Sequence, residues 1–120
     1  MKGEVTPRRP AKFDLSYRVY DVHFVDTMGM GGDNGHHDGD LSQIVIQESL
    51  SSREQANVFL HEFTHAVFTM WGVKFKDEDT EEVAVNAVAN GICELLRRNP
   101  GVIDWVRSCI SDNSVKTRTK

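Results

Sequence analysis

Apolar and polar positions along the chain follow two different periods. Residues 16–26 (SYRVYDVHFVD) are rich in Tyr, Val and Phe, hold no Gly or Pro, and place Tyr20, Val22 and Phe24 on one face. That alternation predicts a strand. Residues 41–48 (LSQIVIQE) centre on Ile44, Val45 and Ile46 and predict a second strand. Between them, residues 29–40 (GMGGDNGHHDGD) carry five glycines and read as a loop. The two strands can then form an antiparallel hairpin closed by that long loop.

The period changes after residue 50. Ala56, Phe59, Leu60, Phe63, Ala66, Val67 and Met70 recur at spacings of three and four, as on one face of a helix. Ser51 followed by Glu54 matches a capping box, in which hydroxyl and carboxylate satisfy the first free backbone donors. Gly72 suits the C-terminal cap. A second helix is expected from about Thr80, with Glu81 and Glu82 in its first turn and Glu78 ahead of it. Its stripe is Val85, Val88, Ala89, Ile92, Leu95 and Leu96, and it stops before Pro100. A short third helix is expected over residues 101–110. The elements predict an α+β domain: a small antiparallel or mixed sheet packed on the first helix, with the second beside it. Trp71 and Trp105 are expected as core anchors, and Cys93 as a small buried hydrophobe.

A length of 120 residues allows one domain. The expected division is a basic, disordered arm over residues 1–12, one domain over 13–111 and a basic, disordered tail over 112–120. No apolar run reaches the ~18 residues of a membrane helix, and nothing at the N-terminus looks like a secretory signal. Two cysteines do not make a disulfide framework, so a reduced, cytoplasmic setting is the expectation. A net charge of -4 argues against general nucleic-acid binding. A monomer or weak dimer, away from membranes, is expected.

The candidate chemistry lies inside the first helix. His61-Glu62-Phe63-Thr64-His65 is the pattern HExxH. Residues four apart stack on one helix face, so two imidazoles there can reach one metal ion at ~2.0–2.1 Å, the usual Zn–N distance. Glu62, one residue after the first His, points to the side of that pair, which suits a general base acting on a metal-bound water. Catalytic zinc usually takes three protein ligands. No His follows His65, so the third is expected from the second helix. Stepping back from Val85 by three or four reaches Glu82 or Glu81, and periodicity does not choose between them.

Residues 44–100 resemble the ImmA/IrrE-type zinc metallopeptidases, especially their short phage-encoded relatives. The likeness rests on an apolar strand (Ile44, Val45, Ile46), a capped helix with LHEFTHAVF (residues 60–68), and EEVAVNAVANGICELLRRNP (residues 81–100) after an acidic stretch. The resemblance implies a minimal zincin-like fold, a bound Zn2+, His61 and His65 as ligands, and Glu62 as catalytic base. Counted back from Val88-Ala89-Asn90-Gly91, the family's third ligand falls on Glu82. The chain differs from that family in its Gly-rich, double-His loop and in lacking a helix-turn-helix module.

Other residues admit simpler roles. His36 and His37, beside Asp33, Asp38 and Asp40, could form a second metal site or a substrate-facing loop, but an exposed hydrophilic turn accounts for them better. His23 and Tyr20 could supply an oxyanion donor, or simply line a strand face. Two functions fit. One is a zinc-dependent peptidase acting on an unidentified peptide or protein, with the second strand at a sheet edge receiving an extended peptide. The other is a phage-type protein-binding module that keeps the zinc site as a scaffold without catalysis.

Overall fold

Two tight turns and one crossover build the sheet. The computed structural model describes residues 8–26 and 33–112. Strand β1 (Lys12–Leu15) turns through Ser16, at φ 59, into antiparallel β2 (Arg18–Val25). Strand β3 (Gly35–Asp38) then pairs antiparallel with β4 (Gln43–Gln47). The sheet order is β1-β2-β4-β3, and β2 runs parallel to β4, with Asp21 opposite Gln43 and Val25 opposite Gln47.

This corrects two expectations. The strands at 16–26 and 41–48 are not a hairpin, because a third strand lies within the segment expected to be all loop. Its turn is chemically marked: the Asp38 carboxylate accepts from the Leu41 N–H at 3.0 Å, and Ser42 takes φ 52. One reversal at β3 leaves β4 running the same way as β2. The second correction follows: β4 lies inside the sheet, and among the described residues the edge strand beside the first helix is β3.

Alternation decides what is buried. Tyr20, Val22, Ile44 and Ile46 face the core with Leu15, and Phe13 packs against them from its edge. Phe13 stacks on Tyr20 at 5.3 Å and meets Phe59 and Phe63 edge-on at 5.5 and 5.6 Å, which ties the sheet to the helix layer. Full burial of a large apolar side chain contributes roughly 1.5–3 kcal/mol, so the fully buried Ile44 and Ile46 rank among the main stabilising residues. The alternate residues Val19, Asp21 and His23 are exposed. His23 therefore stands off the core face that carries Tyr20, and the oxyanion role considered for it fails.

Helix α1 (Ser52–Met70) packs on β3 and β4 through the expected stripe. Its capping box forms, Glu54 N–H donating to the Ser51 hydroxyl at 3.2 Å and Ser51 N–H to the Glu54 carboxylate at 3.1 Å. At its other end Gly72, at φ +69, takes the left-handed conformation that glycine adopts without steric cost. Gly72 N–H then reaches the Thr69 carbonyl and Val73 N–H the Phe68 carbonyl, closing the helix. Helix α2 (Glu78–Arg98) starts earlier than expected, because Asp77 caps it by accepting from Thr80 N–H at 2.8 Å; Glu78 is its first residue. Only part of its predicted stripe is covered: Val85 and Ala89 are buried, whereas Val88, Leu95 and Leu96 are exposed. Helix α3 (Pro100–Ile110) packs against α2 and buries none of its residues. Trp71 and Trp105 are exposed, at 61% and 66%, so neither anchors the core.

Residues 9–12 already belong to the fold. Val22 N–H donates to the Ala11 carbonyl at 2.8 Å, and the Arg9 guanidinium lies 4.0 Å from the Phe24 ring. The rest of both expected basic tails, residues 1–7 and 113–120, lies outside the described residues. Among the described residues no helix is long and apolar enough to cross a membrane.

Two glycines give opposite expectations. A Cβ on Gly35 would collide with the Val58 side chain and sit 2.8 Å from the Val45 carbonyl oxygen, whereas Gly91 faces open space. Gly35→Ala should lower stability by about 1–3 kcal/mol in denaturant unfolding. Gly91→Ala, within α2, should raise it by roughly 0.5–1 kcal/mol.

Candidate metal centre

The four-residue spacing on α1 sets His61 and His65 side by side, ring centroids 5.1 Å apart. Glu82 reaches them from the second turn of α2. One oxygen of its carboxylate is 2.8 Å from His65 Nε2, and the other is 3.1 Å from His61 Nε2. One donor atom from each of the three residues lies within 4.8 Å of the others. The chemistry of this set, two imidazole nitrogens and one carboxylate oxygen on a single side, could hold a metal ion. Both imidazoles are mostly covered, while the Glu82 side chain is 47% exposed, so the group opens to solvent on the α2 side.

Periodicity left Glu81 and Glu82 undecided, and the structure gives each a place. Neighbouring helix residues point ~100° apart. Glu82 faces both Nε2 atoms, and Glu81 accepts from the far side of the same ring, 2.8 Å from His65 Nδ1. A carboxylate on Nδ1 puts a hydrogen on that nitrogen and leaves the Nε2 lone pair for a metal. Glu81 is thus an orienting partner of His65, and Glu82 is the member of the donor group.

Glu62 is 7% exposed and packed between α1 and β3. Burial pushes its carboxyl up to about 7; His65 opposes that rise, and the charges of Glu82 and Asp33 add to it. A carboxyl with that affinity exchanges a proton near neutral pH. It borders a cleft of about 540 Å³, with residues 33–37 as one wall, Asn57 and Val58 as another, and His61, Glu62, His65 and Glu82 at its base. Thr64, the other buried polar residue of α1, bonds the Leu60 carbonyl at 2.7 Å and has no role in the cleft.

The double-His segment is not an exposed turn, which corrects the simpler expectation for it. It forms edge strand β3, with His36 exposed and His37 half-buried against the site. His37 Nε2 is 3.2 Å from the Tyr20 hydroxyl, and its ring lies parallel to that of His65, 3° between planes and 6.4 Å between centroids. Burial and the nearby His65 lower the pKa of His37, which favours the neutral ring. Among the described residues, His36 and His37 join no group of converging metal donors with Asp33, Asp38 and Asp40. Cys93 is half-buried rather than buried, and accepts from the Asn57 side-chain amide at 3.2 Å.

The sequence offers His37 and Tyr20 as candidates but favours a plain turn and a strand face for them, whereas the structure joins the two at the cleft. The available signal was Asp38-Gly39, a hairpin dipeptide that the surrounding glycines obscured.

The raised Glu62 carboxyl has a thermodynamic consequence for the metal-free chain. Between pH 4.5 and about 7 the folded state holds a proton that the unfolded carboxylate has released. Stability from this group therefore falls as pH rises through that window, by up to about 3 kcal/mol. Melting temperatures measured without metal should show that decline, and Glu62→Gln should remove it. Glu81→Gln should weaken metal binding by ~10–100-fold without abolishing it, the usual effect of losing an orienting carboxylate; titration calorimetry checks this. No family model, curated protein or solved structure matches the chain, so the geometry of this cleft is what bears on function.

Proposed function

We propose that the chain is a zinc-dependent metallopeptidase related to the ImmA/IrrE type, built on a minimal zincin-like domain. The observation that carries this reading is the convergence of His61, His65 and Glu82, with a buried carboxyl, Glu62, beside them. A purely structural site has no use for that carboxyl. Two nitrogens and one oxygen suit Zn2+ and leave a coordination position open. The metal would supply Lewis-acid chemistry, polarising a scissile carbonyl and acidifying water.

The chain's own residues do the rest. His61, His65 and Glu82 hold the ion, and Glu81 keeps the His65 ring turned toward it. Glu62 takes the proton of the attacking water on its carboxylate and passes it to the departing amine. Substrate alignment falls to β3. Gln47 N–H donates to the Asn34 carbonyl at 2.8 Å, which makes 34/47 a hydrogen-bonded pair. Alternation along the ladder then turns the N–H and C=O groups of Gly35 and His37 away from β4. Among the described residues β3 has a strand on one side only, so an extended peptide can add at its other side, along the cleft. The substrate class is therefore an extended peptide or protein segment, met in the cytoplasm.

A second reading draws on α3. That helix buries no residue and exposes Trp105 and Ile110, as a protein-binding surface does. In that case the zinc site is a scaffold and the chain a binding module of phage type.

The two readings part at Glu62. Zinc should bind at one ion per chain by elemental analysis. Glu62→Gln, not being a ligand, should keep zinc and fold while peptidase activity drops by ~10²–10⁴-fold, the usual contribution of a general base. Glu82→Gln should reduce zinc content and activity together. Full biological activity in Glu62→Gln would leave the binding module as the better description.

A further inference from the structure

His37 lies outside the donor group, yet it lines the same cleft and its ring runs parallel to that of His65. Its Nε2 faces the hydroxyl of Tyr20, a residue with no exposed surface. Chemistry fixes which atom donates in that bond. A phenol O–H is a stronger donor than a neutral imidazole N–H, and an imidazole nitrogen is a stronger acceptor than a phenol oxygen. Tyr20 therefore donates to His37 Nε2, and the neutral ring carries its hydrogen on Nδ1. Among the described residues no group accepts from Nδ1. No buried polar side-chain atom among them lacks a partner, so Nδ1 is open to solvent.

We propose that His37 is a fixed hydrogen-bond donor of the cleft, presenting Nδ1–H to the oxygen of a carbonyl group bound beside His61 and His65. The proposal rests on reading this cleft as a metal site that takes peptide carbonyls. Tyr20 then has a definite role, since its buried hydroxyl selects the tautomer. Stacking against His65 keeps the donor beside the ion's position, because neither ring can rotate without breaking its bond to Tyr20 or Glu81.

Long-range 15N–1H correlation spectra of the full, metal-free chain at pH ~7.5 read the tautomer directly. His37 should appear as the Nδ1–H form, and Tyr20→Phe should shift it toward Nε2–H. An Nε2–H ring in the unaltered chain, or no response to Tyr20→Phe, would overturn the assignment. The donor role is read separately on the zinc-loaded chain, with acetohydroxamate as the probe. His37→Phe, which keeps an aromatic ring on His65, should retain one zinc per chain and bind acetohydroxamate ~2–10-fold more weakly, the range of one hydrogen bond. His37→Gln, which keeps an N–H donor, should recover part of that loss. Unchanged acetohydroxamate affinity in His37→Phe would overturn the donor role. A chain that binds no zinc would sink the metal reading, whereas the tautomer measured without metal judges His37 independently.

Discussion

The packing of α2 on α1 is the contact on which the rest depends. Val85 and Ala89 are the two buried residues of α2, and they set how far its first turns stand from the α1 histidines. Glu82 lies three residues before Val85, close to the same line along the helix, and so meets the imidazoles wherever Val85 meets α1. Asp77 starts the helix in time to order that turn. The Gly72 cap releases α1 so that the chain can come back antiparallel. Neither histidine needs a special backbone conformation; the spacing of four supplies their alignment, and α2 supplies the carboxylate.

The sheet contributes the other wall. Ile44 and Ile46 hold β4 against α1, which brings β3 alongside Glu62 and His65. Gly35 permits that approach, since any side chain there would meet Val58 and the Val45 carbonyl. The same closeness takes water from the Glu62 carboxyl and raises its proton affinity. One packing choice, a glycine on the strand facing a valine on the helix, therefore shapes both the cleft and the proton affinity of Glu62.

Much of this was readable in the chain because it is local. The capping box, the stripe on α1, the spacing of His61 and His65 and the stop at Pro100 each depend on neighbours within a turn or two. What was not readable depends on partners far along the chain. The run of glycines hid β3, whose pairing is decided by Ile44 and Ile46, and so the parallel match of β2 with β4 was missed. Glu81 and Glu82 are equivalent by periodicity, and only the angle of α2 on α1 sets Glu82 against the two Nε2 atoms and Glu81 against His65 Nδ1. Trp71 and Trp105 looked like core residues by type, but they fall past the end of α1 and on a helix that packs against α2 without burying a residue.

X-ray absorption at the zinc edge of the loaded chain tests the central claim most directly, because it identifies the atoms bound to the ion. Only nitrogen and oxygen neighbours are expected, at ~2.0–2.2 Å, with the outer-shell scattering of two imidazole rings. Sulfur at ~2.3 Å, which would place Cys93 or Cys109 on the metal, or the absence of imidazole scattering, would contradict that claim.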